Sequence, residues 1–132
     1  FLNDVSIAEN IAIGIEKDKI DLEKVKNVSR QAQISDFVES KPNQYNEKVG
    51  ERGIRLSGGQ KQRIGIARAL YRDAKIILFD EATNQLDVDT ETLIMDSIYS
   101  LDKEITVILI AHRLSTLERC DKVIDLSKDF NN

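Results

Sequence analysis

Residues 56–60 read Leu-Ser-Gly-Gly-Gln, and residues 76–81 read Ile-Ile-Leu-Phe-Asp-Glu; these two stretches decide the fold. In the first, Ser57 and Gln60 have the spacing of a capping box, in which each side chain accepts a backbone N–H of the other residue. The spacing predicts a helix over residues 58–71. The second stretch is a short continuous apolar run, which is typical of a strand buried on both faces.

The part of the chain before residue 56 reads as short helices and loops. Ser6 opens a Ser-x-x-Glu capping box, which predicts a first short helix. Asp21 is placed to cap a second helix. A third helix is predicted from Ser35, and it must end before Pro42, because proline disfavours helix in the residue before it. Residues 43–53 are polar and contain glycine, which predicts a loop.

The part after residue 72 alternates strands with helices. The predicted elements are a strand at 75–79, a helix with its inner stripe at Ile94, Ile98 and Leu101, a strand at 105–110, a helical turn at 114–119 and a weaker strand at 122–126. Strands separated by helices imply a parallel sheet with right-handed crossovers. The predicted fold class is therefore α/β, with a helical subdomain (residues 1–72) followed by a three-stranded, mainly parallel sheet flanked by helices (residues 73–132).

Composition excludes several classes of protein. The 132 residues suffice for one modest core, and no apolar stretch reaches the roughly 20 residues that a membrane helix needs. The net charge of −4 argues against a nucleic-acid binder, which usually presents a basic face. The single cysteine, Cys120, rules out an internal disulfide framework, and we assign it no catalytic role. Because the chain begins at Phe1, we expect it to be a piece of a longer protein.

Three side chains are candidates for chemistry at the end of the sheet. Asp80 and Glu81 close an apolar strand, where ligands of open α/β sheets bind. An aspartate in such a place holds Mg²⁺ in nucleotide hydrolases, and the next carboxylate can orient or deprotonate the attacking water. His112, the only histidine, follows the second strand and could hydrogen-bond a phosphate oxygen. Taken singly, an Asp-Glu pair at a strand end and a lone histidine are more often solvated surface groups.

The glycine-rich stretch suits an anion. Gly58 and Gly59 allow backbone to approach a ligand closely, and Ser57 stands at a helix start, where free N–H groups and the helix dipole favour negative charge. Ser57, Gly58, Gly59 and Gln60 are therefore candidate phosphate-binding residues. A plain helix cap would explain the serine and glycines alone, but not the matching residues that follow them at 62–63 and 67–70.

In combination, residues 3–126 resemble the ATP-binding-cassette family of transporters, most closely the exporter type. The resemblance identifies 56–60 with the signature motif, 76–80 with the Walker B strand, Glu81 with the catalytic glutamate, His112 with the switch histidine, 84–87 with the D-loop and 49–53 with the loop before the signature that faces the membrane domains. On this basis the fold is part of a P-loop NTPase.

The resemblance implies a nucleotide clamp. ATP and Mg²⁺ are the implied ligands: Asp80 would bind the metal, and residues 57–60 with Asp87 would bind nucleotide. Two ATPase subunits, identical or related, would pair head to tail, so that the signature of one serves the nucleotide of the other. Transmembrane domains of the same or a partner chain would place the assembly at the cytoplasmic face of a membrane, with no role for nucleic acid.

Two departures qualify the resemblance. The sequence contains no Gly-x-x-x-x-Gly-Lys-Ser/Thr, so we expect this chain alone neither to bind Mg-ATP tightly nor to hydrolyse it. The D-loop of the family usually reads Ser-Ala-Leu-Asp, whereas here Asn84 and the larger Gln85 precede Leu86 and Asp87.

Two other functions stay open at the level of sequence. One is a non-transport cassette ATPase of DNA repair or chromosome maintenance, against which the acidic charge and the exporter-like residues 49–53 speak. The other is a non-catalytic half that only pairs with an active partner, against which the presence of Glu81 and His112 speaks. The transported substrate is not encoded in these motifs.

Overall fold

The computed structural model describes residues 2–80, 88–111 and 114–125. Within these residues the helices and strands are α1 (Ile7–Ile11), α2 (Leu22–Gln31), α3 (Ser35–Glu39), α4 (Gly58–Tyr71), β1 (Ile76–Asp80), α5 (Val88–Tyr99) and β2 (Thr106–Ile110). Single 3-10 turns occur at Lys17–Lys19, Gln44–Asn46, Glu51–Gly53 and Leu114–Leu117. None of the described helices combines the length and the apolar character that crossing a bilayer requires.

Local capping sets the helix starts where the sequence predicts them. At α1 the Glu9 N–H donates to Ser6 Oγ at 3.2 Å, and the Ser6 N–H donates to Glu9 Oε2 at 3.2 Å. The Ser6 hydroxyl also donates to Glu9 Oε2 at 2.5 Å, and this hydrogen bond lowers the pKa of Glu9. At α2, Asp21 Oδ1 accepts the Lys24 N–H at 2.9 Å. The third helix begins at Ser35, as predicted.

Helix α4 lies at the centre of the core and packs against α1, α2 and α5. Its buried side chains include Ile64, Ile66 and Ala67, so apolar side chains lie on more than one face of this helix. Ile94 and Ile98 of α5, two residues of the predicted inner stripe, are buried in the same cluster as the helices of the first part. The core is thus continuous across residue 72, and the division into two subdomains at that point stays a prediction.

The two strands form a parallel pair. Ile76 lies opposite Thr106, and the register runs on to Asp80 opposite Ile110. The parallel arrangement that the strand-helix-strand pattern predicts is confirmed.

The prediction that β1 is buried on both faces is wrong for the described part of the chain. Ile77 is buried, but Ile76 and Leu78 are 64% and 58% exposed. On β2, Ile108 and Ile110 are also exposed, and the register puts all four on one face. We call these four residues the open face of the sheet. Burial on both faces requires a second layer, and the described helices cover only one side.

The third predicted strand does not form in the described residues. Residues 122–125 are assigned to no strand, and Leu126 lies outside the described part. Val123 and Ile124 are each 55% exposed. A short strand gains its stability from a hydrogen-bonded neighbour, and none pairs with residues 122–125 in the structure.

A buried amide ties the start of the chain to α4. Asn10 is fully buried; its Nδ2 donates to the carbonyls of Asn3 (3.0 Å) and Ser6 (3.1 Å), and its Oδ1 accepts the Asn3 N–H at 3.0 Å. Arg68 Nε of α4 donates to the Asn10 carbonyl at 2.8 Å. Burial lowers the pKa of Arg68. These bonds fix α4, and hence the glycine-rich stretch at its start, relative to α1.

The open face leads to a prediction about self-association. We expect this chain in solution to form oligomers or precipitate at micromolar concentration, because contiguous exposed apolar surface is removed from water by association. The double substitution Leu78→Lys with Ile108→Lys, which places charges at two positions paired in register, should shift it to monomer. Analytical ultracentrifugation measures the distribution.

Gln31→Lys, on the exposed end of α2, is the control for added positive charge and should leave the oligomers in place. A wild-type chain that sediments as a monomer would contradict the expectation.

Candidate functional site

The glycine-rich stretch forms the N-terminus of α4, and its first residues face solvent. Ser57 is the N-cap: its Oγ accepts the Gln60 N–H at 3.3 Å, and its own N–H donates to Gln60 Oε1 at 2.9 Å. The predicted capping box is confirmed. Ser57 and Gly58 are exposed, so a ligand can reach the cap of this 14-residue helix. The free N–H groups and the dipole of a helix start favour an anion there.

Gly59 is required for the close packing of α4 on α5. It is buried, and a Cβ atom at this position would lie 2.3 Å from Thr90 Cγ2 of α5. Only glycine permits this approach, so the second glycine of the stretch is required by packing between α4 and α5. A contact of Gly59 with nucleotide, and likewise one made by the Gln60 side chain, stays a prediction.

Arg63 fixes the same helical turn through hydrogen bonds of its guanidinium. Its guanidinium donates to the Gln33 carbonyl at 2.8 Å through Nη1 and to the Gly59 carbonyl at 3.4 Å through Nε. Burial lowers the pKa of Arg63, although a guanidinium keeps its charge at any physiological pH. The first turn of α4 is therefore anchored to the connection between α2 and α3 as well as to α5.

Asp80 is the last residue of β1 and is exposed. In the parallel register it lies opposite Ile110, so both strands end at the same edge of the sheet. Glu81 follows Asp80 directly in the sequence, and His112 follows Ile110 by two residues. Glu81, Asp87 and His112 lie outside the described residues, and their roles stay predictions.

The exposed groups fit a magnesium-bound phosphate. Asp80 offers a carboxylate, the hard oxygen ligand that Mg²⁺ prefers. Across residues 2–80, 88–111 and 114–125 there is no cluster of three or more histidine, cysteine or acidic ligands. A single carboxylate suits Mg²⁺, which keeps several waters and takes further oxygens from substrate phosphates.

Sequence reasoning missed the contacts that α5 makes with its surroundings. Thr90 limits the space at Gly59, and Glu91 accepts a hydrogen bond from Thr116 Oγ1 at 3.2 Å. Periodicity identifies which side chains of a helix face the core, but it carries no information on which distant residue each one meets. The polar residues at the start of α5, next to the predicted D-loop, were the only available signal.

The packing at Gly59 predicts a specific rescue. Gly59→Ala should lower the free energy of unfolding by about 1–3 kcal/mol, because the new methyl overlaps Thr90 Cγ2. Adding Thr90→Ser should restore most of this loss, since serine lacks that methyl but keeps the hydroxyl. Chemical denaturation monitored by circular dichroism measures both effects.

Gly65→Ala in the same helix is the matched control. A Cβ at Gly65 meets nothing within 4 Å, so this change should stabilise the protein by about 0.5–1 kcal/mol through helix propensity. Equal effects of alanine at the two glycines would refute the packing explanation.

The chain is similar to known proteins in both sequence and structure. The sequence model of the family described as "ABC transporter" matches residues 1–84. An ATP-dependent lipid A-core flippase of Pseudoalteromonas translucida is 48% identical over 118 residues, which are 89% of this chain and 20% of that protein. Multidrug resistance protein 1 of Plasmodium falciparum is 50% identical over 133 residues, covering 99% of this chain and 9% of that protein.

The solved structure of a bacterial Atm1-family ABC exporter with ATP bound superimposes with a TM-score of 0.73 at 44% identity. The match covers 88% of this chain and 20% of the exporter chain. This chain thus spans a fifth or less of the length of these relatives.

Proposed function

We propose that this chain, which belongs to the ABC transporter family, forms the signature and Walker B part of an exporter's ATPase domain. The domain would couple ATP binding and hydrolysis to transport across a membrane. The observation that carries the proposal is the exposed, capped N-terminus of α4 at Ser57, in a chain whose first sheet strand ends in the exposed carboxylate of Asp80. These are the two kinds of group that a phosphate and its metal ion require.

The residues divide into two half-sites. Ser57, Gly58 and the other residues of the signature would bind the phosphates of a nucleotide held by a second ATPase subunit. Asp80 would hold Mg²⁺, which neutralises phosphate charge when bound. Glu81 would orient or deprotonate the attacking water, and His112 would hydrogen-bond the γ-phosphate.

Asp87 would contribute to the nucleotide site from the loop that crosses between subunits. Gln85 is larger than the alanine that usually stands in this loop. The larger side chain would change the contact across the subunit interface without removing the aspartate.

The second ATPase subunit and a set of transmembrane domains are the proposed partners. Residues 49–53 form a turn in which Gly50 and Gly53 are buried and have φ of +76° and +69°, a conformation that glycine adopts without strain. Glu51 is exposed on this turn, where a partner can contact it. The relatives named as a flippase and as a multidrug resistance protein support transport over DNA maintenance. The site would then lie at the cytoplasmic face of the membrane.

Hydrolysis by the full-length protein that carries this chain tests the proposal. Purified with its membrane domains, it should hydrolyse ATP in a Mg²⁺-dependent manner. Glu81→Gln should lower kcat by about 10²–10⁴-fold, the usual contribution of a general base, while nucleotide binding persists. Steady-state kinetics and equilibrium nucleotide binding measure the two quantities.

Glu104→Gln is the matched control, because Glu104 is exposed and its one ion pair within residues 2–80, 88–111 and 114–125 is a long one, with Lys75 at 3.8 Å. It should leave kcat unchanged. A wild-type protein without ATPase activity, or a Glu81→Gln variant as active as wild type, would overturn the proposal.

A second test uses this chain by itself. We expect no binding of Mg-ATP in the micromolar range, because the sequence holds no phosphate-binding loop and no loop lysine. Isothermal titration calorimetry on chain shown by circular dichroism to be folded measures the affinity. Sub-millimolar binding would show that the signature and Walker B residues suffice, contrary to this expectation.

A further inference from the structure

The segment 114–120, which follows His112 in the sequence, lies along helix α5. Its residues meet three positions of that helix: Glu91 in the first turns, Asp96 in the middle and Tyr99 at the end. The contacts are polar and specific, so they fix the segment at a defined height along α5.

Thr116 is held on α5 by two hydrogen bonds. It is buried, with 7% of its surface exposed. Its Oγ1 donates to Glu91 Oε1 at 3.2 Å, and its carbonyl accepts the Tyr99 hydroxyl at 2.8 Å. Two bonds to opposite ends of one helix leave Thr116 little freedom to shift along α5.

Tyr99 is itself fixed in place. The Arg119 guanidinium lies 4.2 Å from the centre of the Tyr99 ring and forms an ion pair with Asp96 at 2.9 Å. Burial, with a smaller contribution from the neighbouring Cys120, raises the pKa of Tyr99 to about 12. The Tyr99 hydroxyl therefore stays protonated and remains a hydrogen-bond donor throughout the physiological pH range.

The first turn of α5, at the opposite end from Tyr99, also contacts α4. Thr90, the neighbour of Glu91, packs against Gly59 near the start of α4. One helical turn thus meets the helix that carries Ser57 and the segment that follows His112. That turn begins three residues after Asp87 in the sequence.

We propose that Thr116 is a positioning residue of the ATPase reaction: its two hydrogen bonds hold the segment that follows His112 on the helix that follows Asp87. The inference rests on the proposed function. Through Thr90 the same helix is packed on α4, so α5 supports both the segment that follows His112 in the sequence and the helix that begins at the glycine-rich stretch.

Substitutions at Thr116 in the full-length protein test the role. Thr116→Val keeps the shape and removes the hydroxyl, and we expect kcat to fall about five- to tenfold, the rate equivalent of one lost hydrogen bond, with KM for ATP within about twofold of wild type. Thr116→Ser keeps the hydroxyl and should restore kcat. Tyr99→Phe removes the second bond and keeps the ring against Arg119, so it should also lower kcat at constant KM.

Ser97→Ala is the control for a lost buried hydroxyl in α5, because the hydrogen bond that Ser97 Oγ forms with a described residue stays within its own helix, to the Ile94 carbonyl at 2.7 Å. It should leave kcat unchanged, whatever its effect on the melting temperature. In a His112→Ala background, Thr116→Val should have little further effect, because its action passes through the segment attached to His112.

The outcomes separate the two proposals. A wild-type protein without ATPase activity would contradict the proposed function itself. An active wild type in which Thr116→Val matches wild type, or in which Thr116→Val, Thr116→Ser and Ser97→Ala all lose activity in proportion to stability, would overturn the positioning role alone. If Thr116→Val fails to fold, Tyr99→Phe decides by the same criteria.

Discussion

The approach of α4 to α5 at Gly59 is the constraint on which the rest of the structure depends. A side chain at this position would push the helices apart, because Thr90 occupies the space that a Cβ would need. Contact at this point brings the exposed cap at Ser57 and the start of α5 to one place. The core that includes Ile94 and Ile98 then extends from the helices of the first part to the sheet. The position of the helix end at Ser57 is therefore set by the packing of α4 on α5.

The candidate site combines exposed polar groups with buried residues that pack on α5. Ser57, Gly58 and Asp80 face solvent, where a nucleotide and its metal ion could reach them. Gly59 and Thr116 are buried and are held against α5. Phosphoryl transfer depends on positioning and on charge stabilisation more than on covalent chemistry, so buried residues that fix exposed ligands suit the proposed ATPase function.

Sequence predicted the features that depend on neighbours in the chain. The cap at Ser57 and the start of α4 were predictable because the two partners are three residues apart, and β2 because β-branched residues follow one another. The predictions failed where a distant partner decides. The strand expected at 122–126 needs a neighbour to pair with, and burial of β1 on both faces needs a second layer. The bond between Thr116 and Glu91 joins residues 25 apart, and no local pattern indicates it.

The amide of Asn10 makes the start of the chain sensitive to chemical ageing. Its two N–H donors meet carbonyl oxygens of Asn3 and Ser6. Deamidation to aspartate would replace that nitrogen with an oxygen, so that acceptors would face acceptors at a buried position, which is costly. Burial within a hydrogen-bonded helix protects Asn10 from this reaction in the folded protein. Unfolding removes that protection, so the rate of deamidation at Asn10 depends on the fraction of time that the core is unfolded.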